Sequence, residues 1–182
     1  MRTTEKGVKP SSELFFSSPS NQAKNLFFYV VCTGHYMYED NYVLKRDNYN
    51  SFLIMHIIKG SVKIEFDNTS YIAKMGDTTL INCHKPHSYS SIGDLDTIWF
   101  HFDGSNSRDI YNELSNLYNS VIVAKNSSNI INRIYKIYDI YKSGKKVSEA
   151  VQSAYIYRIL TEFFKNPDND TSDKNSVIDK VI

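Results

Sequence analysis

From Leu26 to Phe102 the chain is written as short apolar or alternating runs, each closed by a turn. Leu26 to Thr33 is densely apolar, and Leu53 to Ile58 is a second such run that stops at Lys59-Gly60. Val62, Ile64 and Phe66 then alternate with Lys63 and Glu65, the period-2 pattern of a strand with one wet face. Asp67-Asn68 supplies a hairpin turn into Tyr71 to Lys74, and Gly76-Asp77 turns again into Thr78 to Asn82. His87 to Ser90 makes a further short strand. After Gly93-Asp94, Thr97 to Phe102 places Thr97, Trp99 and His101 on one face. Many short strands with regular turns fold as a sandwich or small barrel.

The period changes after Asp103-Gly104. Arg108 to Tyr118 fits one helix, and Ile130, Ile134, Ile137 and Tyr141 recur at helical spacing in the next, widened by Ile131 and Tyr138. Gly144 ends that helix. A third is expected from about Val147 to Lys165, with Tyr155, Ile156, Ile159, Leu160, Phe163 and Phe164 on its apolar face. Residues 1–25, rich in Ser, Lys, Asn and Pro without a sustained period, read as a flexible arm. The expected organisation is an arm at 1–25, a barrel at 26–104, a helical region at 105–166, and at 167–182 a linker and the start of a further domain. In the last stretch Val177, Ile178, Val181 and Ile182 open an amphipathic helix without a C-terminal cap, as expected of a chain cut from a longer protein.

Composition excludes several functional classes. A net charge of +1 with few local basic clusters gives no electrostatic footprint for nucleic acid. No segment reaches transmembrane length, and Leu14-Phe15-Phe16 is too short for a secretory core. Two cysteines, Cys32 and Cys83, make no disulfide framework, so reduced thiols and a cytoplasmic location are expected. No nucleophile motif, phosphate-cradling Gly loop or isolated carboxylate pair is present, and the chain is not expected to be an enzyme.

Cys83, His84 and His87 fall within five residues and invite a metal reading. A structural zinc needs four ligands, commonly in paired spacings, and no second pair exists here. Gly76, Asn82, His84 and His87 resemble the second sequence motif of cupins, with His87 at its metal-ligand position. Where the first motif would supply two His and a Glu, the chain has Arg46-Asp47-Asn48-Tyr49-Asn50-Ser51, and Arg46 would repel a cation. No metal and no cofactor are expected.

Taken together, Tyr42 to Asp47, Leu53 to Gly60 (LIMHIIKG), Gly76 to Tyr89 (GDTTLINCHKPHSY) and Trp99 to Gly104 (WFHFDG) resemble, in order and spacing, the ligand-binding domain of the arabinose-regulator (AraC/XylS) family of bacterial transcription regulators. The resemblance implies a mainly β fold with C-terminal helices: a metal-free cupin-like (double-stranded β-helix) barrel, followed by two or three helices that form a homodimer. It also implies a small-molecule effector, often a sugar, and a C-terminal DNA-binding domain with two helix-turn-helix units that this sequence does not contain. Family effector contacts map onto Arg46, Tyr89 and Trp99, with His87, Thr97 and, more loosely, Thr33 beside them. The chemistry suits a sugar, because a guanidinium presents fixed donors to hydroxyls and an indole packs on the apolar face of a pyranose.

Read from the residues alone, each has a plainer role. Arg46 can be a surface strand charge, Trp99 a core anchor, His87 a brace for the loop after Pro86, and Tyr89 a wall residue. His56 and His101 read as core or rim histidines, and His84 and Cys83 as structural. The resemblance raises Arg46, Tyr89 and Trp99 above these roles. The expected function is an effector sensor; the alternative is a metal-dependent cupin enzyme acting on a sugar or small metabolite.

Overall fold

The computed structural model describes residues 5–165; the expected linker and the opening helix at Val177 to Ile182 lie outside them. In chain order the elements are β1 (Glu13–Phe16), α1 (Asn21–Leu26), β2 (Phe28–Tyr38), β3 (Val43–Arg46), β4 (Phe52–Phe66), β5 (Thr69–Lys74), β6 (Asp77–Asn82), β7 (His87–Gly104), α2 (Ser107–Leu117), β8 (Ile122–Lys125), α3 (Ser128–Ser143) and α4 (Glu149–Phe163).

Two long strands build the barrel. The hydrogen-bonded order is β1-β2-β7-β4-β6-β8, with β3 added to β7 and β5 to β4. Along β4, Phe52–His56 pairs with β6, whereas Ser61–Phe66 pairs with β5. Along β7, residues 95–104 pair with β2, whereas His87–Ser90 pairs with β3. Each long strand therefore leaves one layer for the other, and the two layers close on each other. The register between β4 and β7 shifts on both sides of Lys59, which marks the corner. Gly60 sits in this corner at φ +82°, and a Cβ there would lie 2.2 Å from the Asp94 carbonyl oxygen. Only glycine fits both the backbone and the space.

Strand alternation sorts the side chains. Trp99 and His101 line the barrel interior, so Ile98, Phe100 and Phe102 turn to the opposite face, where all three are buried. That face carries the helices, with α4 packed on β2 and α3 on β7, β2 and α4. The buried stripe of α3 is Ile130, Ile134, Ile137 and Tyr138; that of α4 is Ile156, Ile159, Leu160 and Phe163. Both helices begin where a serine accepts from the backbone, Ser127 from Ile130 and Ser148 from Val151, and Gly144 ends α3 in the left-handed conformation.

Two segments depart from the expected organisation. The first is the arm, which takes regular structure: Glu13–Phe16 pairs with Cys32–His35, and α1 follows. The free edge of β2 supplies the backbone partners that the short apolar triplet Leu14-Phe15-Phe16 needs. Three polar ties then fasten this segment to the helices. Glu13 accepts from Tyr138 and, at 2.7 Å, from Lys142. Tyr141 donates to Ser17 at 3.1 Å, and Ser20 donates its amide and hydroxyl to Glu149 at 2.8 and 2.5 Å. The second departure is β8, which extends the sheet past residue 104 by pairing with β6. Four residues carry no readable period; the open edge of the fully buried β6 makes the strand.

The Glu13 contact gives a pH-dependent prediction. Hydrogen bonds from Lys142 and then Tyr138 hold the carboxyl below its ordinary value. A depressed folded value contributes stability above the ordinary glutamate value, and that contribution is lost as pH falls through the lowered one. Glu13→Gln is therefore expected to be less stable than wild type at pH 7, with the difference shrinking as pH falls below the ordinary glutamate value, as checked by urea unfolding across that range.

Candidate ligand-binding site

The barrel interior is ringed with aromatic side chains. On β2, Cys32, Tyr36 and Tyr38 share the parity that points inward; Trp99 and His101 do the same on β7. From β3 come Leu44 and Arg46, with Tyr42 and Tyr49 flanking that strand, and Tyr89 lies across from it on the first half of β7. Together they line a cavity of about 90 Å³. Glu5, Leu14 and Phe16 of the N-terminal segment complete its wall, and Glu5 accepts a hydrogen bond from Tyr42. Gly34 makes room for the indole: a Cβ there would come within 2.6 Å of Trp99 Cζ2.

A second space opens on the far side of Arg46. It is a cleft of about 570 Å³ between β3, the β4–β5 hairpin and the loop before β7. Lys45, Arg46, Phe66, Lys85 and His87 line it, so Arg46 borders both spaces.

Apart from the Arg46 cation and the Glu5 carboxylate, the inner cavity is walled by uncharged aromatic, apolar and thiol side chains. The Arg46 guanidinium lies 4.6 Å from the centre of the Tyr49 ring. No carboxylate among the described residues forms an ion pair with it. Burial raises the hydroxyls of Tyr38, Tyr42 and Tyr89 well above the ordinary tyrosine value and that of Tyr49 to about 12, so all four stay protonated donors. Burial likewise lifts the Cys83 thiol to about 12 and raises Cys32, which removes both as thiolate nucleophiles at neutral pH.

His101 carries the strongest shift among the histidines. Its Nδ1 lies 2.9 Å from Ser51 Oγ, and burial, then the charges of Arg46 and His87, push it down to about 3 from 6.5. The unfolded chain thus binds a proton that the folded one refuses between pH 6.5 and 3. Stability is expected to fall as pH drops through that window, with His101 alone contributing a slope of about 1.4 kcal/mol per pH unit. His101→Gln should flatten the slope, as measured by unfolding from pH 7 to pH 4.

Two buried polar atoms on residues that line these spaces are left without hydrogen-bond partners, Trp99 Nε1 and His87 Nε2. His87 donates through Nδ1 to the Lys85 carbonyl at 2.8 Å, and burial keeps its ring neutral, which leaves Nε2 a bare acceptor.

Of the residues expected from sequence, Arg46, Tyr89 and Trp99 meet in the inner cavity. His87 borders the outer cleft, and Thr97 is buried near the Tyr38 hydroxyl without lining either space. Thr33 faces the other way: it pairs with Phe100 and donates to the Trp99 carbonyl at 2.8 Å, so it braces the wall rather than the interior. The bulge between Val30 and Cys32 sets this parity and gives the inward position to Cys32. Sequence reasoning missed Tyr36, Tyr38, Tyr42 and Tyr49, and read His101 as a core or rim histidine. Tyr36 and Tyr38 share the parity of Cys32, a signal that was present; Tyr42 and Tyr49 lie outside any strand and offered none.

A barrel closed by two bent strands, with an arginine and a tryptophan inside and helices on one outer face, invites comparison with known proteins. The model of the AraC-like ligand binding domain matches residues 28–160. The chain belongs to this family. As an AraC-like ligand binding domain it has a cupin-like barrel with C-terminal helices. Among curated proteins no sequence matches it. Solved structures that resemble it include KdgF from Halomonas sp., at 13% identity and a TM-score of 0.41, covering 55% of this chain and 84% of that one. An HTH_3 family transcriptional regulator from Vibrio cholerae aligns at 11% identity and a TM-score of 0.44, over 57% and 56% of the two chains. The Cupin_2 domain of an XRE family transcriptional regulator from Enterobacter cloacae aligns at 12% and 0.38, over 50% and 95%. At this distance none of the three carries an argument; the family match and the barrel do. Among the described residues of this AraC-like domain, no group of three or more His, Cys, Asp or Glu converges to hold a metal ion. No described helix is long and apolar enough to cross a membrane.

Proposed function

We propose that this AraC-like domain is the effector-sensing and dimerising part of a transcription regulator, and that its effector is a sugar or oligosaccharide bound in the barrel. It carries out no reaction of its own. The observation that carries this reading is the interior itself: Arg46, Tyr89 and Trp99 meet in one cavity, with an unpartnered indole N–H, and a segment of the N-terminus completes its wall. At about 90 Å³ the cavity is smaller than the roughly 300 Å³ or more of an occupied small-molecule site. An effector must therefore displace Glu5, Leu14 or Phe16, or join the cavity to the cleft beyond Arg46. The same N-terminal segment is tied to α3 and α4 through Glu13, Ser17 and Ser20, so displacement would be felt at the helices.

Dimerisation belongs to the same proposal. The buried stripes of α3 and α4 face the barrel, and Tyr135, Val151, Tyr157 and Phe164 remain exposed on these elements for a second copy. DNA binding would fall to a helix-turn-helix domain of the parent protein. The test is thermal unfolding in the presence of a panel of mono- and oligosaccharides, with sedimentation at micromolar concentration. A sugar that raises the midpoint and a dimeric mass support the reading. A clean monomer removes the dimerising role, and a panel without effect removes the sugar.

A further inference from the structure

The polar groups around Arg46 narrow the class of sugar, an inference that rests on the sensor reading of the barrel. A half-buried arginine, without a carboxylate partner among the described residues, stands between two spaces, and the tyrosines and histidines around it carry no charge at neutral pH. The surrounding tyrosines are protonated, His101 is uncharged at neutral pH, and the carboxylate that lines the inner cavity, Glu5, sits on Tyr42. On the cleft side Lys45 and Lys85 add positive charge; of the two carboxylates there, Glu65 is engaged by Lys63 at 2.5 Å and Ser88 at 2.9 Å, and Asp67 accepts from Ser120 at 3.4 Å. Beside the arginine, the neutral His87 offers a bare acceptor, Nε2, on a side chain only 4% exposed.

We infer that the ligand is an acidic sugar, with its carboxylate or phosphate on Arg46 and Lys85 and a hydroxyl donating to His87 Nε2. Each unused group then gains the partner its chemistry asks for. A guanidinium in a fork geometry matches a two-oxygen anion better than a neutral hydroxyl, and a charge-assisted bond of this kind is about twice as strong as a neutral one. A bare imidazole nitrogen does not accept from a carboxylate; it needs an O–H, which a polyhydroxylated acid supplies next to its charge. A plain sugar leaves the cation unmatched, and an inorganic anion leaves His87 unmatched.

The experiment is NMR of the arginine Nε–H and tryptophan Nε1–H groups during titration, at constant ionic strength, with galactose, galacturonate, galactose 6-phosphate and inorganic phosphate. Arg46 is assigned by Arg46→Lys. The expected result is a saturable shift of Arg46 with an acidic sugar at a concentration at least about tenfold below that for galactose, reduced severalfold by Lys85→Gln. Carboxylate and phosphate are distinguished by which of the two acids saturates first. Equal saturation by galactose and the acids overturns the inference but leaves the sensor reading standing. A saturable Arg46 shift with the acids that leaves Trp99 unmoved supports the anion contact and removes the pocket reading. Non-saturating shifts at Arg46 with every probe overturn the inference.

Discussion

Gly60→Ala is expected to destabilise the barrel by roughly 2–4 kcal/mol, the largest single loss among the glycines of the sheet. Two costs add at this residue. The backbone stands at φ +82°, where an L side chain is strained by about 1–2 kcal/mol, and the new Cβ would press into the Asp94 carbonyl at 2.2 Å. The carbonyl belongs to the facing strand at the corner where β4 changes layers, so relief requires the corner to open. Gly93→Ala separates the two costs. That glycine has φ +70°, but a Cβ added there would meet nothing within 4 Å, so its replacement should cost only about 1 kcal/mol. Urea unfolding of both variants checks this; equal losses would mean that the corner yields easily and does not set the closure of the barrel.

Arg46→Ala is expected to weaken effector binding by about 10- to 150-fold, the equivalent of the roughly 1.5–3 kcal/mol carried by hydrogen bonds to a charged group. Its effect on folding should be small. The guanidinium makes no ion pair among the described residues, and its contact with the Tyr49 ring at 4.6 Å is worth about 0.5–1 kcal/mol. The variant therefore separates binding from stability in a way that Trp99→Ala, which would also empty part of the core, does not. Isothermal titration with an effector found by the thermal screen, alongside urea unfolding, measures both. A variant that loses stability in full and affinity in proportion would place Arg46 among the structural residues.

The contrast between these two positions shows what the sequence could and could not carry. The corner was legible as Lys59-Gly60 between two apolar runs, because strands and turns are encoded by neighbours a few residues apart. The helices α3 and α4 were legible for the same reason, through Ile130, Ile134 and Ile137 and through Ile156, Ile159 and Leu160, with Gly144 between them. Strands β1 and β8 were not. Each is four residues long, and each exists because a distant strand, β2 or β6, leaves an edge to pair with. Arg46 lies between these cases: β3 is also four residues, too short for alternation to say which face its arginine takes. The resemblance to arabinose regulators named Arg46, Tyr89 and Trp99, and they share the cavity. It also named Thr33, whose inward parity is cancelled by the bulge at Val30–Cys32, a feature without a sequence mark. The tyrosines from β2 and the β3 flanks went unread because a tyrosine in a β protein is ordinarily a wall residue; only closure of the barrel gives them a common interior.

Trp99 is the only tryptophan in the chain, and it lies in the wall of the cavity with its Nε1 unpartnered. Its fluorescence therefore reports from the wall of the proposed site. The most direct measurement is an emission titration with the sugar that most raises the unfolding midpoint, in wild type and in Arg46→Ala. The expected result is a saturable change in intensity or wavelength in wild type, displaced to at least about tenfold higher concentration in the variant. A sugar that stabilises the protein while the Trp99 emission stays constant would place the effector outside the barrel and contradict the proposed site.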